Sequence, residues 1–180
     1  MNSFFDLFLV LFVVIAATFD LFQKRIPNWL SLPATAVGII FNAVTGMPRF
    51  VDSLLGLGLG LAILFGPFAF GWLGAGDVKF LAAVGAILGV GWVPRVFFYS
   101  ALMGIPIAMI PIVSGGFDKK VFKETRTDLK FFFMSRGSVL PPSITERVSR
   151  GSHVIPYGVA IGLATLIAYY FDPRGEWAGF

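Results

Sequence analysis

The sequence predicts an all-α, polytopic membrane protein with about six transmembrane helices, and three observations support this fold class. Hydrophobic residues make up 57% of the 180 residues and charged residues only 13%, and the mean hydropathy of +0.83 is far above that of a soluble domain. The apolar residues form runs of the length that a helix needs to cross about 30 Å of hydrocarbon. Lys and Arg cluster between particular runs, as they do in cytoplasmic loops.

Six apolar runs approach the roughly 20 residues of a membrane-spanning helix. The first Lys or Arg is Lys24, which follows the first run, so that run is predicted to stay as a helix rather than to be removed as a signal peptide. The fourth run is short and could instead be a re-entrant segment. The predicted spans are residues 3–22, 29–46, 52–73, 78–93, 95–113 and 153–171.

The basic residues predict the orientation of these spans. With six spans and the N-terminus outside, eleven of the 14 Lys and Arg residues lie inside, eight of them in segment 114–152, and three lie outside. A re-entrant fourth run would move the eight-charge segment to the outside, which the same rule disfavours. We therefore expect one membrane-embedded domain over residues 1–180, with both termini outside and a cytoplasmic loop at 114–152.

Composition excludes several kinds of chemistry. The absence of cysteine removes thiol nucleophiles, disulfides and cysteine-based zinc sites, and a single histidine is too few for an ordinary zinc centre. Nucleic-acid binding is disfavoured although the net charge is +4, because most basic residues lie in one loop rather than on a binding face. We expect no metal and no cofactor, and the sequence specifies no oligomeric state. The side chains left for chemistry are chiefly carboxylates.

Two of these carboxylates, Asp20 and Asp77, lie at the ends of apolar runs. Asp20 is in FDLFQKRIPNWL and Asp77 in GWLGAGDVKF, and the six-span order places both at the inner membrane face. Two carboxyl groups within hydrogen-bonding distance cannot both ionise easily, so they share a proton. The ionised member can then activate water while the other protonates a carbonyl, which is the chemistry of an aspartic protease.

Each acid also has a purely structural interpretation. Asp77 could be an N-cap of the fourth span, since it follows a glycine and precedes an apolar run. Asp20 could form a surface ion pair with Lys24 or Arg25. Neither alternative predicts that both acids lie at one membrane face. Asp6 lies near the outer end of the first span and is not expected to join the pair.

Small residues are predicted to let the helices approach closely. Glycines four residues apart lie on one face of a helix, where neighbouring backbones can come into contact. A general enrichment of glycine in membrane helices accounts equally well for any single pair. The pairs are Gly56 and Gly60, Gly85 and Gly89, and Gly158 and Gly162.

Three segments together resemble the type IV prepilin peptidases. GAGDVKFLAAVGAILG, residues 74–89, is similar to the Gly-x-Gly-Asp signature of that family, and DLFQKRIPNWL, residues 20–30, to its first-aspartate segment. VIPYGVAIGLA, residues 154–164, is similar to the Pro-Tyr-Gly segment that opens its last helix. The resemblance runs from about residue 10 to 171, although segment 114–152 matches little. It implies a membrane aspartyl protease that cleaves the basic leader of prepilins or pseudopilins at the cytoplasmic face.

The resemblance implies that Asp20 and Asp77 are the catalytic pair, with supporting residues around each. Gly74 and Gly76 are expected to give the backbone room beside Asp77. Asn28, in the turn after Asp20, is also a predicted N-cap of the second span. The other positions expected to support the active site or bind substrate are Lys24, Arg25, Pro27, Lys79, Pro156, Tyr157 and Gly158.

One departure from the family is informative. Larger members carry an N-terminal cytoplasmic domain with paired cysteines and a methyltransferase activity, which has no counterpart in this cysteine-free sequence. The chain resembles the short form associated with tight-adherence (Flp-type) pili, so we expect cleavage without methylation in a prokaryotic cytoplasmic membrane. A proton- or cation-coupled transporter is disfavoured, because its acids usually lie near the middle of a span. A non-catalytic assembly subunit is the remaining alternative.

Overall fold

The computed structural model describes residues 3–69, 73–113, 127 and 157–177. Within these ranges there is no strand, which confirms the all-α prediction. Pro156, and all of the predicted loop 114–152 except Thr127, lie outside the described residues. The described helices are α1 (Ser3–Gln23), α2 (Asn28–Thr45), α3 (Met47–Ala69), α4 (Ala75–Leu88), α5 (Trp92–Val113) and α6 (Tyr157–Phe171).

The outer surface of the bundle is apolar. Large hydrophobic side chains such as Phe22, Ile40, Val44 and Phe65 are exposed on it, as expected for a protein whose surroundings are lipid rather than water. Two stretches, within α1 and α3, are long and apolar enough to cross a membrane, and α6 is a shorter apolar helix. The number of spans and the side on which each terminus lies stay predictions.

Helix α4 is the central element of the bundle. Asp77, Val78 and every residue from Phe80 to Ile87 are buried, because α2, α3, α5 and α6 all pack against it, while α1 packs on α6 and α2. An α-helix of 14 residues rises only about 21 Å. The core is therefore built around the shortest of the six helices that the structure describes.

The contacts between helices fix their relative directions. Asn28 meets Lys79 near the starts of α2 and α4, so these two helices run parallel. Asp20, near the end of α1, contacts Val159 at the start of α6, so α1 and α6 run antiparallel. The end of α1 and the starts of α2, α4 and α6 consequently lie at the same end of the bundle, which we call the acid end.

Antiparallel α3 and α4 pack backbone to backbone, as the glycine spacing predicts. A Cβ atom on Gly60 would lie 2.7 Å from the Cα of Ala82, which is too close for any side chain. A Cβ atom on Gly56 would likewise overlap the carbonyl group of Gly85. The close approach brings many atoms into dispersion contact, which is the main attraction between helices in a membrane.

The turn between α1 and α2 differs from the prediction in one detail. Lys24 adopts a left-handed conformation, with φ of 51°, and its N–H donates to the carbonyl of Asp20 at 2.9 Å, which ends α1. The N-cap of α2 is Pro27, and no side chain caps the helix. The prediction that Asn28 is the N-cap is wrong: it is the first helical residue, and its side chain accepts a hydrogen bond from Lys79 instead.

Three helices begin three or more residues earlier than the apolar runs suggested, and one of them is α5, at Trp92 rather than at residue 95. Helix α3 begins at Met47 rather than at residue 52, with Pro48 in its first turn, where a proline costs no hydrogen bond. Helix α4 begins at Ala75 rather than at residue 78 and ends at Leu88, because Gly89 has a positive φ of 100°. A hydropathy count misses polar residues in a first turn, and Asp77 is one of them.

Candidate active site

Asp20 lies in the last turn of α1 and is only 2% exposed. Its Oδ2 accepts a hydrogen bond of 3.2 Å from the backbone N–H of Val159, and the N–H of Gly158 is also directed at the carboxylate. The first amides of a helix have no acceptor within that helix and carry a partial positive charge. The start of α6 therefore provides the donors that a buried carboxylate requires.

Gly158 makes this approach possible. A Cβ atom at this position would lie 2.8 Å from both Cγ and Oδ2 of Asp20. Any other residue would push the carboxylate away from the amides that bind it. One helical turn further along α6, a Cβ atom on Gly162 would lie 3.0 Å from the Cβ of Ala17, so close packing of α1 on α6 continues away from the acid.

Asp77 is the third residue of α4 and is also only 2% exposed. Its Oδ2 accepts the N–H of Gly74 at 3.0 Å, and its own N–H donates to the carbonyl of Gly74 at 3.1 Å. An acid at this position that binds the N-cap amide is one half of a capping box, and glycine has no side chain to supply the other half. The alternative prediction that Asp77 is the N-cap is wrong, because Gly74 occupies that position.

Asp20 and Asp77 lie near one another at the acid end. They lie close enough for their charges to interact, and the N–H of Gly158 is near both. Among the described residues, Asp20 forms no ion pair with Lys24 or Arg25, both of which are exposed. The structure thus does not support the ion-paired alternative for Asp20. Two buried acids that share one environment hold a single negative charge more easily than two.

Tyr157, the first residue of α6, occupies the side of the site next to Asp77. Its hydroxyl lies 3.0 Å from the Oγ of Ser100, which itself donates to the carbonyl of Phe97 at 2.8 Å. Because a serine hydroxyl has one proton, Tyr157 is the donor in its contact with Ser100. The ring lies against Gly104, where a Cβ atom would come within 2.8 Å of Cε2.

Ser100 and Gly104 were missed by the sequence analysis. Their spacing of four residues places them on one face of α5, and this was the signal that could have found them. The pairs of small residues predicted from the sequence were all Gly with Gly, whereas in this pair the other small residue is a serine. Ser100 is fully buried, and its hydroxyl is hydrogen-bonded both to Phe97 in its own helix and to Tyr157 on α6.

The remaining predicted site residues build the rim of the acid end. The Nζ of Lys79 donates to the Oδ1 of Asn28 at 2.8 Å, which joins the starts of α4 and α2. A Cβ atom on Gly76 would lie 3.0 Å from the backbone nitrogen of Ile26. Gly76 therefore makes room for the turn before Pro27, whereas its predicted role was to make room beside Asp77.

Other acids lie at the opposite end of the bundle, among them buried Asp172 and half-buried Asp6. Asp6 accepts a hydrogen bond of 2.5 Å from the hydroxyl of Tyr169, and Asp172 accepts one of 2.8 Å from Tyr99. Asp6 is therefore separate from the Asp20–Asp77 pair, as the sequence predicted. In the part of the chain that the structure describes, no three His, Cys, Asp or Glu side chains are grouped as metal ligands.

Comparison with known proteins identifies a family. Residues 7–109, more than half of the chain, match the model of the type IV leader peptidase family. That range contains both Asp20 and Asp77. No solved structure gives a significant match.

Several curated proteins are similar over the same part of the chain. A prepilin leader peptidase/N-methyltransferase of Escherichia coli K12 is 32% identical over 106 residues, which are 55% of this chain and 47% of that protein. The protein of the same name from Aeromonas hydrophila is 36% identical over 104 residues, 53% of this chain and 36% of that protein. The one from Neisseria gonorrhoeae is 31% identical over 117 residues, 61% and 41% of the two chains. The chain thus spans between about a third and a half of the length of these relatives.

Proposed function

This chain belongs to the type IV leader peptidase family, and we propose that it is an aspartic endopeptidase that removes the leader of type IV prepilins or pseudopilins. The observation that carries the proposal is the meeting of two buried carboxylates, Asp20 and Asp77, at one end of the helix bundle. Their burial among backbone amides suits a pair that shares one proton. The similarity to relatives named as prepilin leader peptidases supports the choice of substrate.

The proposed mechanism uses the two acids as general base and general acid. The ionised carboxyl group removes a proton from a water molecule that attacks the scissile carbonyl, and the protonated one donates to the carbonyl oxygen. The tetrahedral intermediate then collapses as its C–N bond breaks: the acid that now carries a proton gives it to the leaving amine, and the ionised acid takes a proton from one hydroxyl of the intermediate. The first amides of α6 stabilise the negative charge as it moves between the acids, because Gly158 is near both. Tyr157 and Ser100 form the wall beside Asp77.

The test is co-expression of the chain with a candidate prepilin, followed by mass measurement of the precursor. We expect Asp20→Asn and Asp77→Asn each to lower cleavage by about 10³-fold, within the range for loss of a general acid or base. Asp6→Asn is the matched control, since it replaces a half-buried acid of α1 and keeps an oxygen acceptor for Tyr169. Each variant is first checked for its amount in the membrane fraction.

The opposite result would identify a different role. If both variants process the precursor at the wild-type rate, Asp77 serves only its first-turn hydrogen bond to Gly74, and the protein acts as an assembly subunit or transporter. If Asp6→Asn is as inactive as the other two variants, burial of a carboxylate in general, rather than the Asp20–Asp77 pair, determines activity.

We further propose that the chain acts at the cytoplasmic face of the inner membrane, on Flp-type substrates, and without methylating the product. The excess of Lys and Arg in the segments assigned to the inside supports the face. The absence of cysteine supports the lack of methylation, since the resemblance links that activity to a domain with paired cysteines. Purified protein incubated with S-adenosylmethionine and prepilin is expected to release leader and to transfer no methyl group. Methylated pilin would contradict this part of the proposal.

A further inference from the structure

The end of α4 opposite to Asp77 is held by polar side chains from two other helices. The Nδ2 of Asn42, on α2, donates to the carbonyl oxygens of Ala86 and Ile87, at 3.1 Å each. The Oγ of Ser53, on α3, donates to the same carbonyl of Ala86 at 2.5 Å. These carbonyls belong to the last turn of α4, where a helix has acceptors without donors of its own.

The turn that follows α4 is held in the same way. The Oδ1 of Asp52 accepts the backbone N–H of Val90 at 3.1 Å. Gly89 provides the sharp bend between helix and turn, with φ of 100°, and it leaves space for the Asp52 carboxylate, whose Cγ would lie 2.9 Å from a Cβ atom there. Asn42, Ser53 and Asp52 together form what we call the far-end clamp.

The sides of α4 are closely packed, against backbone at Gly38, Gly56 and Gly60 and, at Phe80, against the ring of Phe12, which meets it edge-on. Dispersion attraction in such contacts has little directionality. Hydrogen bonds depend steeply on distance and angle, and an unmade one in a buried site is costly. The clamp therefore adds directional restraints on the axial position of α4 that packing alone does not supply.

That axial position also determines where Asp77 lies. Asp77 and Ala86 belong to one continuous helix, so their separation along the axis is fixed at about 14 Å. A shift of the clamped end moves Asp77 by the same amount relative to Asp20, which is held by α6. We propose that Asn42, Ser53 and Asp52 are positioning residues that set the alignment of Asp77 with Asp20, an inference that rests on the proposed function.

The first test measures catalysis. We expect the double variant Asn42→Ala/Ser53→Ala to lower kcat at least tenfold, because a small displacement of a reacting group strongly slows the reaction. KM should change less than twofold, because the clamp is remote from the substrate. Ser53→Ala alone keeps the bonds of Asn42 and should show a smaller decrease. Thr165→Val is the control, since it also removes a fully buried hydroxyl, but one that bonds only within its own helix, to Ile161.

The second test measures position and needs no substrate. The chain has no cysteine, so spin labels can be attached to cysteines placed only at Arg49 and Ala75, both exposed and at opposite ends of α3 and α4. Double electron–electron resonance should give a shifted or broadened distance distribution in the Asn42→Ala/Ser53→Ala background. Thr165→Val should leave the distribution unchanged.

The combined outcomes separate the two proposals. An unchanged distance in the clamp variant overturns the positioning role whether or not the protein cleaves a prepilin. A changed distance with normal kcat overturns the link between the clamp and catalysis. A changed distance in a protein that cleaves no prepilin even as wild type supports control of the helix position and overturns the proposed function. A changed distance with reduced kcat and constant KM supports both proposals.

Discussion

Gly158 shows how one missing side chain shapes the site. The Cγ of Asp20 lies where it would be 2.8 Å from a Cβ atom on Gly158, and the N–H of the same residue is close to both acids. A methyl group there cannot be accommodated unless Asp20 moves or α6 separates from α1. The requirement for glycine at this position therefore comes from contact with the acid and not from backbone conformation.

We expect Gly158→Ala to lower kcat at least tenfold, because the displaced carboxylate loses its alignment with Asp77. Gly58→Ala is the matched control, since a Cβ atom on Gly58 has no neighbour within 4 Å. The control should keep full activity and, as alanine is the better helix former, raise the free energy of unfolding by up to about 1 kcal/mol. Prepilin cleavage measures kcat, and unfolding in detergent measures the stability of each variant. A fully active Gly158→Ala variant would show that Asp20 does not depend on this contact.

The two acids could be predicted from the sequence, but their surroundings could not. Asp20 and Asp77 were found because carboxylates at the ends of apolar runs are rare, and charge bias placed both at one face. The contact of Lys79 with Asn28 joins residues 51 positions apart, and a local preference of asparagine for N-caps gave the wrong role for Asn28. Ser100 was missed because its importance depends on Tyr157, a residue on another helix.

Lys79 provides a test of whether proximity to Asp77 implies a catalytic role. Its ammonium group donates a hydrogen bond to Asn28 at the surface of the bundle. Lys79→Met should therefore change the cleavage rate by less than about threefold, which is the usual effect of losing an exposed polar interaction. Asn28→Ala should change the cleavage rate by a similar factor. The double variant Lys79→Met/Asn28→Ala should lower the rate little further, because both substitutions remove the same hydrogen bond. Complete loss of cleavage in Lys79→Met alone, at normal protein levels, would mean that Lys79 acts on the substrate.

At the scale of helices, the α3–α4 interface depends on residues without side chains. Gly56 and Gly60 lie against Gly85 and Ala82, and the backbones come into direct contact. Between Gly56 and Gly60 the contacts are backbone to backbone, and Ser53 adds one hydrogen bond to the carbonyl of Ala86 near the end of α4. The stability of the interface comes from the number of atoms in contact, which any added carbon would reduce by forcing the helices apart.

We therefore expect Gly56→Ala to lower the free energy of unfolding by about 1–3 kcal/mol, the usual cost of overpacking. The extra carbon would overlap the carbonyl group of Gly85, which belongs to the rigid backbone of the central helix. Gly58→Ala, on the same helix but facing away, should not be destabilising. Unfolding measured by denaturant titration in mixed micelles distinguishes the two variants. Equal stability of both would show that α3 and α4 are less closely packed than the structure describes.

The existence and order of the helices were easier to predict than their ends. Six apolar runs correspond to six described helices, because hydropathy reports which residues avoid water. The ends depend on local chemistry that hydropathy does not report. Pro48 and Arg49 belong to the first turn of α3, and α4 begins at Ala75, after its N-cap Gly74 and ahead of the apolar run.

At the scale of the whole molecule, the acid end and the far end are chemically different. Asp20, Asp77 and Tyr157 lie at one end, and Asp6 with Tyr169 lies at the other. The excess of Lys and Arg predicts that the acid end faces the cytoplasm. Sequence could predict this division, but it could not predict that α4 lies at the centre, because neighbours in a bundle depend on tertiary contacts.

Cysteine labelling tests the orientation. In the cysteine-free chain, Arg25→Cys lies at the acid end and Arg174→Cys beyond α6 at the other end, and both positions are exposed. A membrane-impermeant thiol reagent should modify Arg174→Cys in intact cells and Arg25→Cys only after the membrane is opened. The reverse pattern would place the acids outside, and modification of both in intact cells would contradict the six-span order.

The shortness of α4 has a consequence for biogenesis. A helix of 14 residues rises about 21 Å, less than the roughly 30 Å of hydrocarbon, so during synthesis α4 is too short to be a stable transmembrane segment by itself. The preceding helix, α3, is long enough and already presents the glycine surface against which α4 packs. We therefore expect the ribosome-bound chain to deliver α3 and α4 to the bilayer together, as a hairpin. The carboxylate of Asp77 on α4 would then enter the membrane only as part of a preformed pair of helices.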